Sequence, residues 1–284
     1  MRAMEAKPIT SPTLTTPTSR ARRALPALAV IAAVSVIGVW LWFTPSGLLG
    51  KADAVGYAIC HRIDARSLHI GDRALPLCAR CSGIYLGLVL GVTVMAIAGR
   101  GRAGGLPPTR LIFTLLGFVA LMGFDGVNSY LHLLPGLPTL YEPHNWLRVV
   151  TGTLNGLAVG MFIFPVFNQT LWRDWQPRPI LSNFRELGGL LLLAALLIAM
   201  VLIENPIILY PLALISAGGV VALLTALDTT ILLIAARREA QAQTWRQAAL
   251  PLLIGFTLAI VQIGLVDAAR FALFGTWAGF PFAG

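Results

Sequence analysis

All three cysteines and two of the four histidines of this 284-residue chain lie between Cys60 and Cys81. The segment opens with Cys60-His61-Arg62, passes His69, and closes with Leu75-Pro76-Leu77-Cys78-Ala79-Arg80-Cys81-Ser82-Gly83-Ile84-Tyr85-Leu86-Gly87. Cys78 and Cys81 are spaced i, i+3 just after a proline and at the head of an apolar run. In a helix they share one face, which Tyr85 continues one turn later. The positive end of the helix dipole lowers a thiol pKa at such a position. Three chemistries suit these residues. Cys78 and Cys81 form a candidate redox pair of the Cys-x-x-Cys kind used in thiol–disulfide exchange, with a quinone as electron partner if a lipid-facing pocket lies nearby. Cys60, His61, Cys78 and Cys81 form a candidate ligand set for zinc or another transition-metal ion, with His69 as the alternative to His61. The third reading is a disulfide from Cys60 to Cys78 or Cys81, tying the loop to the helix.

Polar residues further along supply a second candidate feature. Asp125, Asn128, Ser129 and His132 stand at i, i+3, i+4 and i+7 in an otherwise apolar run, one stripe on a helix. A carboxylate in hydrocarbon needs a partner in the bundle interior, and Arg148 is the nearest candidate in sequence. The stripe reads as an interhelical clasp or as the polar path of a carrier or channel. His144, Asn145 and Arg148 open the next apolar run, which continues with Thr151, Gly152, Gly156 and Gly160. Gly83, Gly87 and Gly91 make the same four-residue ladder after Cys81, and such ladders let helix backbones approach closely. The two runs are therefore expected to touch, bringing Arg80 and the cysteines near His144, Asn145 and Arg148. Glu204, Asp267 and Arg270 read as interfacial charges at helix ends. Asp228, beside Thr229 and Thr230, has no assigned role. The chain holds no phosphate-cradling glycine loop, no His-Glu-x-x-His pair and no glycine-flanked nucleophilic serine.

The elements that position these residues are membrane helices. The chain is 57% hydrophobic and 12% charged, about half the charge of a soluble domain. Apolar runs are expected at 25–43, 82–98, 110–134, 148–170, 187–203, 207–234 and 248–266, near the ~20 residues that cross a bilayer as helix. They lack the period-two pattern of barrel strands. Trp40-Leu41-Trp42-Phe43 ends the first run as an interfacial belt, which favours a retained helix over a cleaved signal. The net charge of +9 sits in short clusters between runs, as juxtamembrane charge does, and argues against nucleic-acid binding. The expected division is a disordered basic tail over 1–24, a first helix and loop over 25–54, a motif-bearing core over 55–170 and a three-helix extension over 171–284. Basic clusters at Arg20–Arg23, Arg100–Arg110, Arg173–Arg185 and Arg237–Arg246 fall on one side of seven spans. The positive-inside rule makes that side cytoplasmic, with the N-terminus in and the C-terminus out. The basic 44–81 loop is the exception, partly offset by Asp53, Asp64 and Asp72. Every cysteine and histidine then lies at the outer face.

At the Cys-His and Cys-Ala-Arg-Cys-Ser-Gly-Ile-Tyr-Leu-Gly stretches the chain resembles a prokaryotic family of predicted membrane proteins of unknown function. The family motif, Cys-His followed by Cys-x-Arg-Cys-x-Gly-x-Tyr-x-Gly, is matched by Cys60, His61, Cys78, Arg80, Cys81, Gly83, Tyr85 and Gly87. The resemblance continues through Asp125, Asn145, Arg148, Thr151 and Gly152, covering roughly 55–165. It implies one shared site and no particular reaction. The expectation is an all-α, multi-pass protein of the inner (plasma) membrane with the lipid bilayer as its surroundings and a Cys/His metal or cofactor site at its extracytoplasmic face. A membrane thiol oxidoreductase and an Asp125-based carrier are the alternatives.

Overall fold

A computed structural model describes residues 19–134, 136 and 138–279. The tail expected over 1–24 falls mostly outside the described residues. From Ser19 onward, however, the chain is already helical. Among the described residues eight α-helices follow in order: α1 (Ser19–Phe43), α2 (Gly47–Ile59), α3 (Ala79–Met95), α4 (Thr109–Leu131), α5 (Asn145–Leu171), α6 (Phe184–Leu202), α7 (Pro206–Ala235) and α8 (Trp245–Phe274). All but α2 have the length and apolarity to cross a membrane, so the seven expected runs are the seven long helices, displaced by a few residues at their ends. Their outward faces carry large apolar side chains, such as Leu28, Ile31, Val34 and Phe113, which suits lipid as solvent.

The correction lies in the segment expected to be a loop after the first run. Residues Gly47–Ile59 form α2, too short to span a bilayer. Its apolar positions are mixed with Lys51 and Asp53, so no continuous apolar run betrays it. α2 packs on the bundle through Gly50, Ala52, Ala54, Val55, Gly56 and Tyr57. A Cβ at Gly56 would lie 1.9 Å from the Pro76 carbonyl oxygen, so the helix and the Pro76 segment meet backbone to backbone. Cys60, at the C-terminal cap of α2, and Cys78, the N-terminal cap of α3, are joined by that contact. Between them run a single 3-10 turn (Asp64–Arg66) and a hairpin, β1 (His69–Ile70) with β2 (Arg73–Ala74), which turns at Gly71 with φ +61°.

At the centre stand α3 and α5. In its apolar stretch 61% of α5 is buried against 6% of α1, which places α5 inside and α1 at the rim. The expected contact between the two glycine ladders is present. A Cβ at Gly87 would sit 2.3 Å from Thr153 O, at Gly152 2.3 Å from Arg80 O, and at Gly156 1.9 Å from Ile84 O. No residue but glycine fits those positions at this separation. Packing at that distance recovers dispersion energy that lipid contact would not supply. α6 starts on an Asn183 cap, whose side chain accepts from Glu186 N–H, and α7 on Asn205 with Pro206 at its first position. At the far end of the bundle β3 (Ala103–Gly105) pairs in parallel with β4 (Gln176–Pro179). There Arg100 pairs with Glu186 and Arg102 with Asp174.

Candidate functional site

The turn after α2 aims two adjacent side chains inward. Arg62 adopts φ +50°, and this bend lets both Cys60 and His61 face Cys78. A ligand atom from each of Cys60, His61 and Cys78 lies within 4.8 Å of the other two. A tetrahedral zinc with ~2.3 Å bonds to sulfur and ~2.0 Å to nitrogen holds its ligand atoms about 3.5–3.8 Å apart. The trio therefore closes on an ion by small side-chain adjustments. Cys81, one helical turn on, contacts the Cys60 and Cys78 sulfurs but does not join the mutually close trio. Tyr85 packs against the same cluster. The three cysteines are free, so the disulfide reading is not what the structure contains.

Electrostatics prepare the donors. The thiols of Cys78 and Cys81 donate to the Cys60 sulfur, which also accepts from Cys78 N–H at 3.3 Å and Arg62 N–H at 3.4 Å. These donors outweigh burial and hold the Cys60 pKa well below the ordinary thiol value. Cys78, the donor in that exchange and itself buried, is pushed up to about 12. Burial lowers the His61 pKa, and Arg66, Arg80 and Arg148 push it the same way, so the ring is the neutral form a metal requires. Ile63 N–H donates to His61 Nδ1 at 3.0 Å, fixing the ring. The site thus offers one thiolate, a hydrogen-bonded thiol and a neutral imidazole, a donor set that fits zinc or another thiolate-tolerant ion.

The turn is held from behind by α8. Arg270 Nη1 donates to the carbonyls of Tyr57 at 2.6 Å and Cys60 at 2.7 Å, and its guanidinium lies over the Tyr57 ring at 4.0 Å. Tyr57 OH donates to Thr276 O at 2.7 Å. Arg270 is therefore a support of the Cys60 turn rather than the interfacial charge expected. Asp267 is likewise buried, accepting from Trp40 Nε1 at 3.4 Å. Trp40, Asp267, Phe271 and Trp277 line a cavity of about 640 Å³ between α1 and α8. Of the polar residues left without a role, Asp228 accepts from Gln262 Nε2 at 2.8 Å, tying α7 to α8.

Beside the cysteines stands a cationic pocket. Asp125 is 2% exposed, and its ion-pair partner is Arg80, from the motif itself, not Arg148 as the sequence order suggested. The reason is register: the glycine contact carries Arg80 past α5 onto the face of α4. Asp125 also accepts from Tyr141 OH at 2.8 Å and Thr151 Oγ1 at 3.3 Å. Arg80 Nη2 reaches Ser129 Oγ at 2.9 Å, and Arg66 Nη2 reaches Ser129 O at 2.6 Å. Arg148 donates to Asn145 Oδ1 at 2.7 Å, and Asn145 Nδ2 donates to Ser67 O at 3.2 Å. Asn128 bridges to the loop after α4 through Leu140 N–H and Tyr141 O. Arg66 is the residue the sequence reading passed over, because an arginine in a polar loop carries no signal of burial.

Three expected site residues stand apart from the trio. His69 lies in the hairpin, part-exposed, with Nε2 3.0 Å from Asp64 Oδ1. That partner holds it in the hairpin, outside the close trio of Cys60, His61 and Cys78. His132 caps the C-terminus of α4 and His144 precedes α5; neither belongs to the trio.

Among the described residues, seven long apolar helices with a Cys/His cluster at one end mark a multi-pass membrane protein. Residues 60–162 match the family described as "Predicted membrane protein (DUF2085)". The chain is 30% identical over 124 residues to an uncharacterised protein of Methanocaldococcus jannaschii, which covers 43% of this chain and 72% of that protein. It is 33% identical over 84 residues to an uncharacterised protein of Methanothermobacter thermautotrophicus, covering 28% of this chain and 76% of that protein. The chain belongs to this family of membrane proteins. No solved structure matches it. The matched region contains the whole of the cysteine cluster and the arginine pocket, while α1, α2, α6, α7 and α8 lie outside it.

Proposed function

We propose that the protein is a membrane metalloprotein whose ion is held by Cys60, His61 and Cys78, with Cys81 as the fourth ligand. The observation that carries this reading is the mutual approach of the three donors to within 4.8 Å, although they come from two elements. Cys81 already contacts the other two sulfurs, which makes it the nearest candidate for the fourth ligand. When bound, zinc would supply Lewis acidity or structural closure. The protein's own residues do the rest: Arg270 fixes the turn, Arg62 N–H and Cys78 N–H hold the Cys60 thiolate, and burial keeps His61 neutral.

The orientation that accompanies this proposal puts the site at the extracytoplasmic face of the plasma membrane. The basic residues of the 51–80 segment opposed that orientation in sequence, but they are engaged within the fold. Arg62 and Arg73 pair with Asp53 at 2.8 and 2.5 Å, and Arg66 is buried. The arginines left at the surface cluster at the opposite end, as the positive-inside rule asks of the cytoplasmic side.

Metal analysis of protein purified without chelator tests the reading. Wild-type protein should carry about one ion per chain, and Cys60→Ser and His61→Ala should each lose it while His69→Ala retains it. Wild-type protein that takes up no transition metal would overturn the proposal.

A second reading is carried by a separate observation, the contact of the Cys60 thiolate with both other thiols. In it Cys78 and Cys81 give two electrons and two protons to a quinone, forming a Cys78–Cys81 disulfide and a quinol. The cavity between α1 and α8 is the lipid-side space such a reaction requires, linked to the cysteine turn through Phe271, Trp277 and Arg270. Alkylation after quinone treatment separates the two: protection of Cys78 and Cys81 reversed by dithiothreitol favours exchange, and protection reversed by chelator favours metal.

A further inference from the structure

The cationic pocket holds more positive charge than the protein neutralises. Arg66, Arg80 and Arg148 come from the 3-10 turn, α3 and α5; Arg66 and Arg80 both reach Ser129 on α4, and Arg148 lies within electrostatic range of both. Arg66 and Arg148 are 7% and 5% exposed, so bulk water does not solvate them. Asp125 is the one carboxylate in the pocket, and it is committed to Arg80, Tyr141 and Thr151. Among the described residues neither Arg66 nor Arg148 has a carboxylate within ion-pair distance. The nearby thiolate of Cys60 is already supplied with donors by Cys78, Cys81 and Arg62.

The donors are also unspent. A guanidinium carries five N–H groups in a fixed fork. Every hydrogen bond that Arg80 makes leaves from Nη2, Arg148 uses only Nη1, and Arg66 only Nη2. The Nε atoms of Arg80 and Arg148 are buried without an acceptor. An unpaired buried charge costs several kcal/mol, and a protein carrying two of them side by side needs a counter-charge. At Gly126, next to Asp125, an added Cβ would meet nothing nearer than Arg80 Nη1 at 3.9 Å, so the helix leaves the Arg80 fork uncrowded on that side.

We propose that Arg66, Arg80 and Arg148 bind a tetrahedral oxyanion of double negative charge, a phosphate group, beside the cysteine cluster. The excess of two positive charges matches a phosphate dianion, and planar forks from three directions suit its tetrahedral array of acceptor oxygens. Ser129 and Asn145 hold two of the forks and Asp125 the third, so the pocket is preorganised. This site is separate from the metal ligands and goes beyond the metal reading. The phosphate is either free inorganic phosphate or the headgroup of a lipid such as phosphatidic acid, for which the site's place at the end of the bundle is equally suited.

Thermal unfolding of detergent-purified, delipidated protein tests it, with inorganic phosphate in one arm and phosphatidic acid in phosphatidylcholine micelles in the other. Wild-type protein should be stabilised by one of the two, which identifies the source. Arg66→Gln and Arg148→Gln should each weaken that ligand by about tenfold or more, while Arg110→Gln, at the exposed start of α4, should bind normally. If either pocket variant fails to fold, phosphorus analysis of denatured wild-type protein replaces it, and about one phosphate per chain is expected. Wild-type protein that neither ligand stabilises and that carries no phosphorus would overturn the proposal. So would pocket variants that bind as tightly as wild type.

Discussion

Gly156→Ala and Gly160→Ala add the same methyl group one turn apart on α5 and should have opposite effects. At Gly156 the new Cβ would lie 1.9 Å from Ile84 O and 2.8 Å from Leu88 N, both backbone atoms that cannot rotate away. Restoring ordinary contact demands that α3 and α5 part by roughly 1.5 Å there, and a gap of 0.5–1 Å already forfeits a quarter to a half of each dispersion contact. Overpacking of this kind costs about 3 kcal/mol, against which alanine returns about 0.8–1 kcal/mol of helix propensity. The net is a loss of about 2 kcal/mol. At Gly160 the nearest atom is 3.4 Å away, so the propensity gain stands alone and the variant should gain up to about 1 kcal/mol. The two variants should therefore differ by about 2–3 kcal/mol, read as the shift between their unfolding midpoints in mixed micelles titrated with denaturing detergent. Equal midpoints would refute the close α3–α5 contact, and with it the placement of Arg80 against α4.

Asp125→Asn should lower stability by about 3–5 kcal/mol, because it leaves half-buried Arg80 and its buried neighbours Arg66 and Arg148 with no carboxylate; a loss under 1 kcal/mol in the same titration would show the pair to be solvated. Metal affinity should rise about a hundredfold per pH unit through neutrality. Cys60 is held low and His61 is neutral, whereas Cys78 and Cys81, whose thiols donate to the Cys60 sulfur, must each give up a proton to bind. A competition titration with a zinc chelator between about pH 6.5 and 8 reads this, and a flat profile would contradict the assignment of retained protons to these two thiols. Arg270→Met should release the Cys60 turn and speed alkylation of Cys60 in metal-stripped protein severalfold, with no change in the expected topology.

The seven spans were legible because lipid imposes a crude rule, length and apolarity, that a sequence cannot conceal. The α3–α5 contact was legible from two glycine ladders, since only close backbone approach explains that spacing. α2 was not, because its role is local: it buries Gly56 against Pro76 and brings Cys60 to Cys78 without the apolar run that marks a span. The partner of Asp125 was misassigned for a similar reason. Sequence order favoured Arg148, but the register of helices in contact, fixed by Gly152 and Gly156, delivers Arg80 instead. His69 looked as good a ligand as His61 until the hairpin pointed it at Asp64. The burial of Arg66 and Asp267 and the contacts of Arg270 depend on elements distant in sequence, and no local pattern announces them.

X-ray absorption at the zinc edge, on protein loaded with one zinc per chain, bears most directly on whether donors from two separate elements meet at a single ion. The account predicts a first shell of sulfur at ~2.3 Å together with one nitrogen at ~2.0 Å, reduced by one sulfur in Cys60→Ser and lacking the imidazole nitrogen in His61→Ala. A shell built of oxygen and nitrogen alone, or one unchanged by both substitutions, would contradict it.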